Sequence, residues 1–121
     1  MAGVVTITEE TYGTMKKVKF AWTSDAAGAA DGTTTKAYSG AIERLVTVPG
    51  AGADQPTNLY NVAVNDEDVT DVLMGAGAGR SNASTQQVLA SSLGVVANDK
   101  LALAITAAGN TKKGTVYVYI R

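Results

Sequence analysis

The chain reads as all-β: a single antiparallel β-sandwich of seven or eight short strands, a jelly roll being one arrangement of that class. Three observations predict this. Apolar and polar residues alternate with period two over several separate runs. Gly, Pro, Asn and Asp punctuate the chain between those runs at close spacing. No repeat of 20 to 50 residues breaks the pattern into a solenoid. With 121 residues the chain has the size of one domain, 1–121, long enough to bury a core.

The first run, Val4 to Thr8 (VVTIT), is β-branched throughout. After Gly13, MKKVKFAW alternates Val18, Phe20 and Trp22 with Lys17, Lys19 and Ala21, the pattern of a half-buried strand with Trp22 in the core. Ser24 to Gly32 lacks a period and is rich in turn formers, so it reads as a loop. TTTKAYSG reads as a short strand or extended arm. AIERLVTV follows, with Ile42, Arg44, Val46 and Val48 facing opposite to Glu43, Leu45 and Thr47 until Pro49-Gly50 ends it. Apolar residues on both faces suit a strand covered on two sides.

Beyond the loop AGADQPT, the strand NLYNVAV sets Tyr60, Val62 and Val64 on one face, and Asn65 to Asp68 form an acidic turn. DVTDVLM reads as another short strand. The Gly-rich stretch at 75–83 reads as a flexible loop, because glycine loses the most freedom on ordering. Gln86 to Ala97 fits either a helical turn or a strand and a bend, with no long helix expected. KLALAIT and TVYVYIR close the chain as two alternating runs joined by the turn Ala108 to Gly114. Leu101, Leu103 and Ile105 face inward with Val116, Val118 and Ile120, which leaves Tyr117 and Tyr119 together on the opposite face.

Composition excludes several function classes. The chain has no histidine and no cysteine, removing the commonest general base, the thiolate nucleophile and the Ser-His and Cys-His arrangements. No catalytic residue is assigned, and the reading is of a protein that is not an enzyme. GAGAGR at 75–80 lacks the last glycine of a dinucleotide loop and the Lys-Ser/Thr of a phosphate loop, so no cofactor is expected. Asp66, Asp68 and Asp71 are weak metal candidates as hard oxygen ligands, although their spacing does not match an EF-hand. A solvated acidic turn is the plainer reading.

A net charge of -1, with Lys16, Lys17 and Lys19 split between faces, argues against a nucleic-acid partner. No apolar run approaches the roughly 18 residues of a membrane span, and the start of the chain lacks a signal-peptide pattern. Asn82-Ala83-Ser84 matches a glycosylation pattern that is common by chance. Charged residues make up 17%, against about 25% in typical soluble domains. Such a surface tolerates close packing against neighbours.

ITEETYGTMKKVKFAWTSDAAGAADGTTTKAYSG near the start and GTVYVYIR at the end resemble the small virion proteins of tailed bacteriophages, Thr/Ala/Gly-rich β-domains encoded among the head genes. The resemblance spans the chain in style and has no diagnostic motif. It implies a head decoration, or cement, protein: a β-sandwich folded in the host bacterial cytoplasm that binds the outside of the major capsid protein lattice and stabilises the virion against internal DNA pressure. A homo-oligomer is expected, a trimer best matching threefold points of a lattice. Val4, Val5, Arg80, Tyr117 and Tyr119 are the interface candidates, with a flexible arm at 1–5 and the loop at 75–83 ordering on that surface. The alternatives are a tail or neck component of the virion, or a carbohydrate-binding β-sandwich module using exposed aromatics.

Overall fold

The structure, a computed structural model, describes residues 3–121. Seven strands follow in chain order: β1 (Val4–Tyr12), β2 (Met15–Thr23), β3 (Ala30–Pro49), β4 (Asn61–Asn65), β5 (Gln86–Leu89), β6 (Val95–Thr106) and β7 (Lys113–Ile120). Short 3-10 turns stand at Gly52–Asp54 and Ala90–Ser92. All pairings are antiparallel, in the order β1-β2-β7-β3-β6-β4, with β5 on β3.

One strand makes two layers from this sheet. The second half of β3 pairs with β7 and β5, whereas its first half pairs with β6. The larger layer is therefore β1-β2-β7-β3-β5, and the smaller is β3-β6-β4. Gly40 marks the crossing. Its φ of +136° is closed to most side chains, and a Cβ there would lie 2.7 Å from the Arg121 backbone. Around it the β3–β6 register shifts between Tyr38 and Gly40, and such irregularities bend a strand. Seven strands sharing β3 between layers differ from the eight-stranded double Greek key of a jelly roll.

The core lies between the layers. Val18, Phe20 and Trp22 of β2 and Val116, Val118 and Ile120 of β7 meet Leu101, Leu103 and Ile105 of β6 and Val62 and Val64 of β4. Alternation in the sequence selects these residues, because successive side chains of a strand point to opposite faces. The Trp22 and Tyr60 rings pack at 5.5 Å between centroids. Burying such aromatics supplies much of the apolar area withdrawn from water.

Four expectations are corrected. KLALAIT and TVYVYIR, now β6 and β7, do not pair with one another; each pairs with a different half of β3, and the turn between them crosses from one layer to the other. Ile42 does not face outward with Arg44. The β3–β7 register shifts between them, so that Ile42 opposes Ile120 while Arg44 opposes Tyr119. The extra residue, Glu43, reverses the alternation and returns Ile42 to the core at 1% exposure. DVTDVLM forms no strand beyond a bridge from Asp71 to Asn65, because the Asp71 carboxylate takes the backbone amides of Val64, Leu73 and Gly75 and bends the chain into turns. TTTKAYSG is neither a separate strand nor an arm, since it continues unbroken into AIERLVTV as β3.

Candidate functional site

The outer face of the larger layer follows from the register. Across β1, β2, β7, β3 and β5, one row runs Thr8, Lys19, Tyr117, Val46, Gln87, and the next runs Glu10, Lys17, Tyr119, Arg44, Leu89. Neighbours along the strands such as Val18, Phe20, Val116, Val118 and Leu45 point into the core, so these side chains stand on the opposite side of the layer. Tyr117 and Tyr119 occupy the middle, half-buried, and each lies beneath a cation. Lys17 Nζ sits 5.1 Å and Lys19 Nζ 6.0 Å from the centre of the Tyr117 ring, while Arg44 Cζ sits 5.3 Å from that of Tyr119. Each such contact is worth about 0.5–1 kcal/mol at an exposed site. Arg44 Nε also donates to Gln87 Oε1 at 2.9 Å, which fixes the guanidinium over its ring.

The face is positively charged on a chain whose net charge is -1. Lys113 shares the outward side of β7 with Thr115 and the tyrosines, and Glu10 is the acid in the two rows. The Tyr12 hydroxyl donates to Glu10 Oε2 at 2.7 Å and so draws that carboxylate towards the β1–β2 turn. Leu89, opposite Arg44, is 67% exposed and adds an apolar border. Aromatic side chains and arginine with an apolar contact at the centre, and lysines around them, match the anatomy of a protein-docking surface.

Tyr117 and Tyr119 are thus brought together as expected, and the other interface candidates lie apart from them. Val4 is exposed at the far end of β1 on the same side, paired with Thr23. Val5 turns inward, against the core and beside Gly32. Both belong to β1 and not to an arm; Met1 and Ala2 lie outside the described residues. Arg80 lies across the molecule at β4, where its amide donates to the Tyr60 carbonyl at 2.7 Å. Its Nε is buried without a hydrogen-bond partner, as are Trp22 Nε1, Tyr60 Oη and Thr47 Oγ1. Burial raises the Tyr60 hydroxyl pKa, opposed by the nearby Thr47 hydroxyl and the Arg80 charge.

Lys17, Lys19 and Arg44 were not singled out with the tyrosines by sequence, because β2, β7 and β3 are not consecutive and only their register joins them. Lys16 lies on the other side of β2 and donates through Nζ to the Ser39 carbonyl at 2.8 Å.

Two of the three metal candidates, Asp66 and Asp71, already have their carboxylates engaged with backbone. Asp66 Oδ1 accepts from the amides of Asp68 and Thr70 at 2.9 and 3.0 Å, and Asp71 holds the three amides described above. No group of three or more acidic side chains converges as a metal site among the described residues. A further acid, however, joins this turn through space. Burial raises the Asp99 carboxyl pKa, and the negative charges of Asp66, Glu67 and Asp68 raise it further.

The loop at 75–83 runs along the border of β4. Val62 donates to the Gly77 carbonyl at 2.8 Å, and Leu59 to the Arg80 carbonyl at 2.9 Å. Gly77 is required there by close approach, since a Cβ would run into the Val62 carbonyl oxygen. These bonds cover an edge strand that would otherwise invite pairing with another chain.

No protein-family model matches the sequence, and no curated protein does either. A solved structure from work on the promiscuous specificity of carbohydrate-binding modules of the β-sandwich superfamily overlays with a TM-score of 0.34 at 18% identity. The overlay covers 99% of this chain and 54% of that one, so the chain spans about half the length of the protein it matches. So loose an overlay carries no argument about function.

Proposed function

We propose that this chain is a non-enzymatic structural protein of a tailed phage particle, of the head decoration type, which binds the outer capsid surface and stabilises it. The observation that carries the reading is the cation-covered tyrosine face, a broad docking surface of the kind used between proteins. The resemblance to small virion proteins supplies the setting. Tail or neck placement is the alternative within the same particle.

A carbohydrate-binding reading would use the same tyrosines, but it fits the geometry less well. Sugar rings stack on the open face of an aromatic ring, and here Lys17, Lys19 and Arg44 already stand over the rings of Tyr117 and Tyr119. Trp22, the largest aromatic, is 2% exposed and belongs to the core.

The test is co-sedimentation of the purified protein with pre-assembled capsids and with free capsid subunits. Decoration requires far stronger binding to the assembled lattice, because contacts to several subunits add through effective concentration. Loss of the protein should lower particle stability without abolishing assembly. Cryo-electron microscopy showing it in the tail tube or neck, with none on the capsid exterior, would transfer the function to those parts. Specific glycan-array binding without capsid binding would favour the carbohydrate reading.

A further inference from the structure

We infer that the tyrosine face receives the acidic turn of a second copy of this chain, Asp66 to Val69. The inference rests on the reading of that face as a protein-docking surface and names its occupant.

The two surfaces complement one another in charge and in apolar content. On the receiving side, Tyr117, Tyr119 and Leu89 form an aromatic and aliphatic centre bordered by Lys17, Lys19 and Arg44. On the entering side, Val69 stands 78% exposed at the crown of a turn carrying Asp66, Glu67 and Asp68. Val69 has a φ of +61°, a conformation rarely adopted by β-branched residues. The turn is held in shape by bonds to its own backbone and to β6: Asp66 accepts from the Asp68 and Thr70 amides, the Asp66 amide donates to the Thr70 carbonyl at 2.9 Å, and Glu67 Oε2 accepts from the Lys100 amide at 3.0 Å. It therefore presents its exposed groups in a fixed shape, which reduces the ordering cost of binding.

The crowding of negative charge around Asp99 gives the turn a reason to receive cations. Three lysine or arginine charges arriving from a neighbour would relieve that repulsion. Within one molecule the turn follows β4 in the smaller layer, whereas the tyrosines point outward from the larger layer. The contact is thus made between copies. A patch that binds a different patch on the next copy closes into a ring when the rotation allows and otherwise extends. A closed ring of this kind would meet a symmetric lattice through its remaining surfaces.

The experiment is sedimentation velocity on the full chain, without capsids, over a range of concentration and salt. Self-association is expected at about 50 mM salt and should weaken at least about tenfold by about 500 mM, as the screening length shortens. K17E/K19E makes the face acidic and E67K/D68K makes the turn basic. Each variant alone should be monomeric, because like charges then meet at both contacts. An equimolar mixture should associate again, since each variant's face is opposite in charge to the other's turn. Far-ultraviolet circular dichroism of each variant establishes that the β-fold is intact. A wild type that stays monomeric at low salt overturns the inference, as does a mixture that fails to associate where the wild type does. The function fails separately: a monomer that binds capsids defeats only this contact, whereas an oligomer that ignores capsids defeats only the decoration reading.

Discussion

The outer face of the larger layer and the border of β4 both lie at the surface, and they are built by opposite means. On the face, five strands lie in register, each side chain is placed by the period of two, and Tyr117, Tyr119, Lys17, Lys19 and Arg44 meet because their strands are neighbours. Along the border no strand follows β4. Asp71 gathers three amides, Gly77 lies close against Val62, and Arg80 bridges Tyr60. A ladder repeats, so its pattern is visible in sequence. A border made of individual side-chain-to-backbone bonds has no period.

The comparison predicts two kinds of failure. Truncating the core beneath the face should unfold the whole domain. Trp22 is 2% exposed and packs against both Tyr60 and Gly114, so it joins the layers. Trp22→Ala should cost about 3–5 kcal/mol, a large part of the stability of a domain holding about 5–15. Thermal unfolding followed by circular dichroism reads the effect. A melting temperature equal to that of the wild type would mean that the layers do not depend on this contact.

Damage at the border should stay local. Gly77→Ala places a methyl group against the Val62 carbonyl oxygen, which backbone cannot yield without moving the segment. Overpacking of this sort costs about 1–3 kcal/mol. Here the strain can be relieved by detaching the segment from β4. Hydrogen exchange should show the Val62 and Arg80 amides, which bond to Gly77 and Tyr60, losing protection while the amides of β2 and β7 keep theirs. Equal loss across the sheet would show that border and layers form one cooperative unit.

The same contrast explains what was legible in the sequence. β2, β4, β7 and the Lys100–Thr106 part of β6 alternate cleanly, and their core residues follow directly from that alternation. So does the pairing of Tyr117 with Tyr119, two residues apart on one strand. Partners drawn from non-consecutive strands were hidden, which is why the cations over the tyrosines emerge only with the register. Glu43 concealed the true orientation of Ile42, since a single extra residue reverses every side chain beyond it. Val69 to Met74 has strand composition, but Asp71 takes the amides that a ladder would need. Asp99 joins the acidic turn only because β6 runs beside β4.

The smallest expected effect concerns a latch joining β1 to the first half of β3. Glu9 accepts hydrogen bonds from the Thr35 hydroxyl at 2.6 Å, the Tyr38 hydroxyl at 2.8 Å, the Lys36 amide at 3.2 Å and the Thr35 amide at 3.4 Å. Burial raises its carboxyl pKa, but these four bonds outweigh burial and hold it below the ordinary value of 4.5. A carboxyl whose folded pKa is depressed stabilises the fold fully while it is ionised in both states. As pH falls below the unfolded value, the unfolded chain takes up the proton first, and the contribution is lost on the way down through the folded value. Glu9→Gln has no such titration. The melting temperature of the wild type should therefore exceed that of Glu9→Gln at neutral pH, and the gap should narrow as pH falls below the ordinary carboxyl value of 4.5. Because Glu9 ties β1 directly to β3, a gap that stays constant with pH would mean that its contacts act through shape alone. A gap that widens in acid would reverse the sign of the linkage and show that the latch holds the protonated carboxyl.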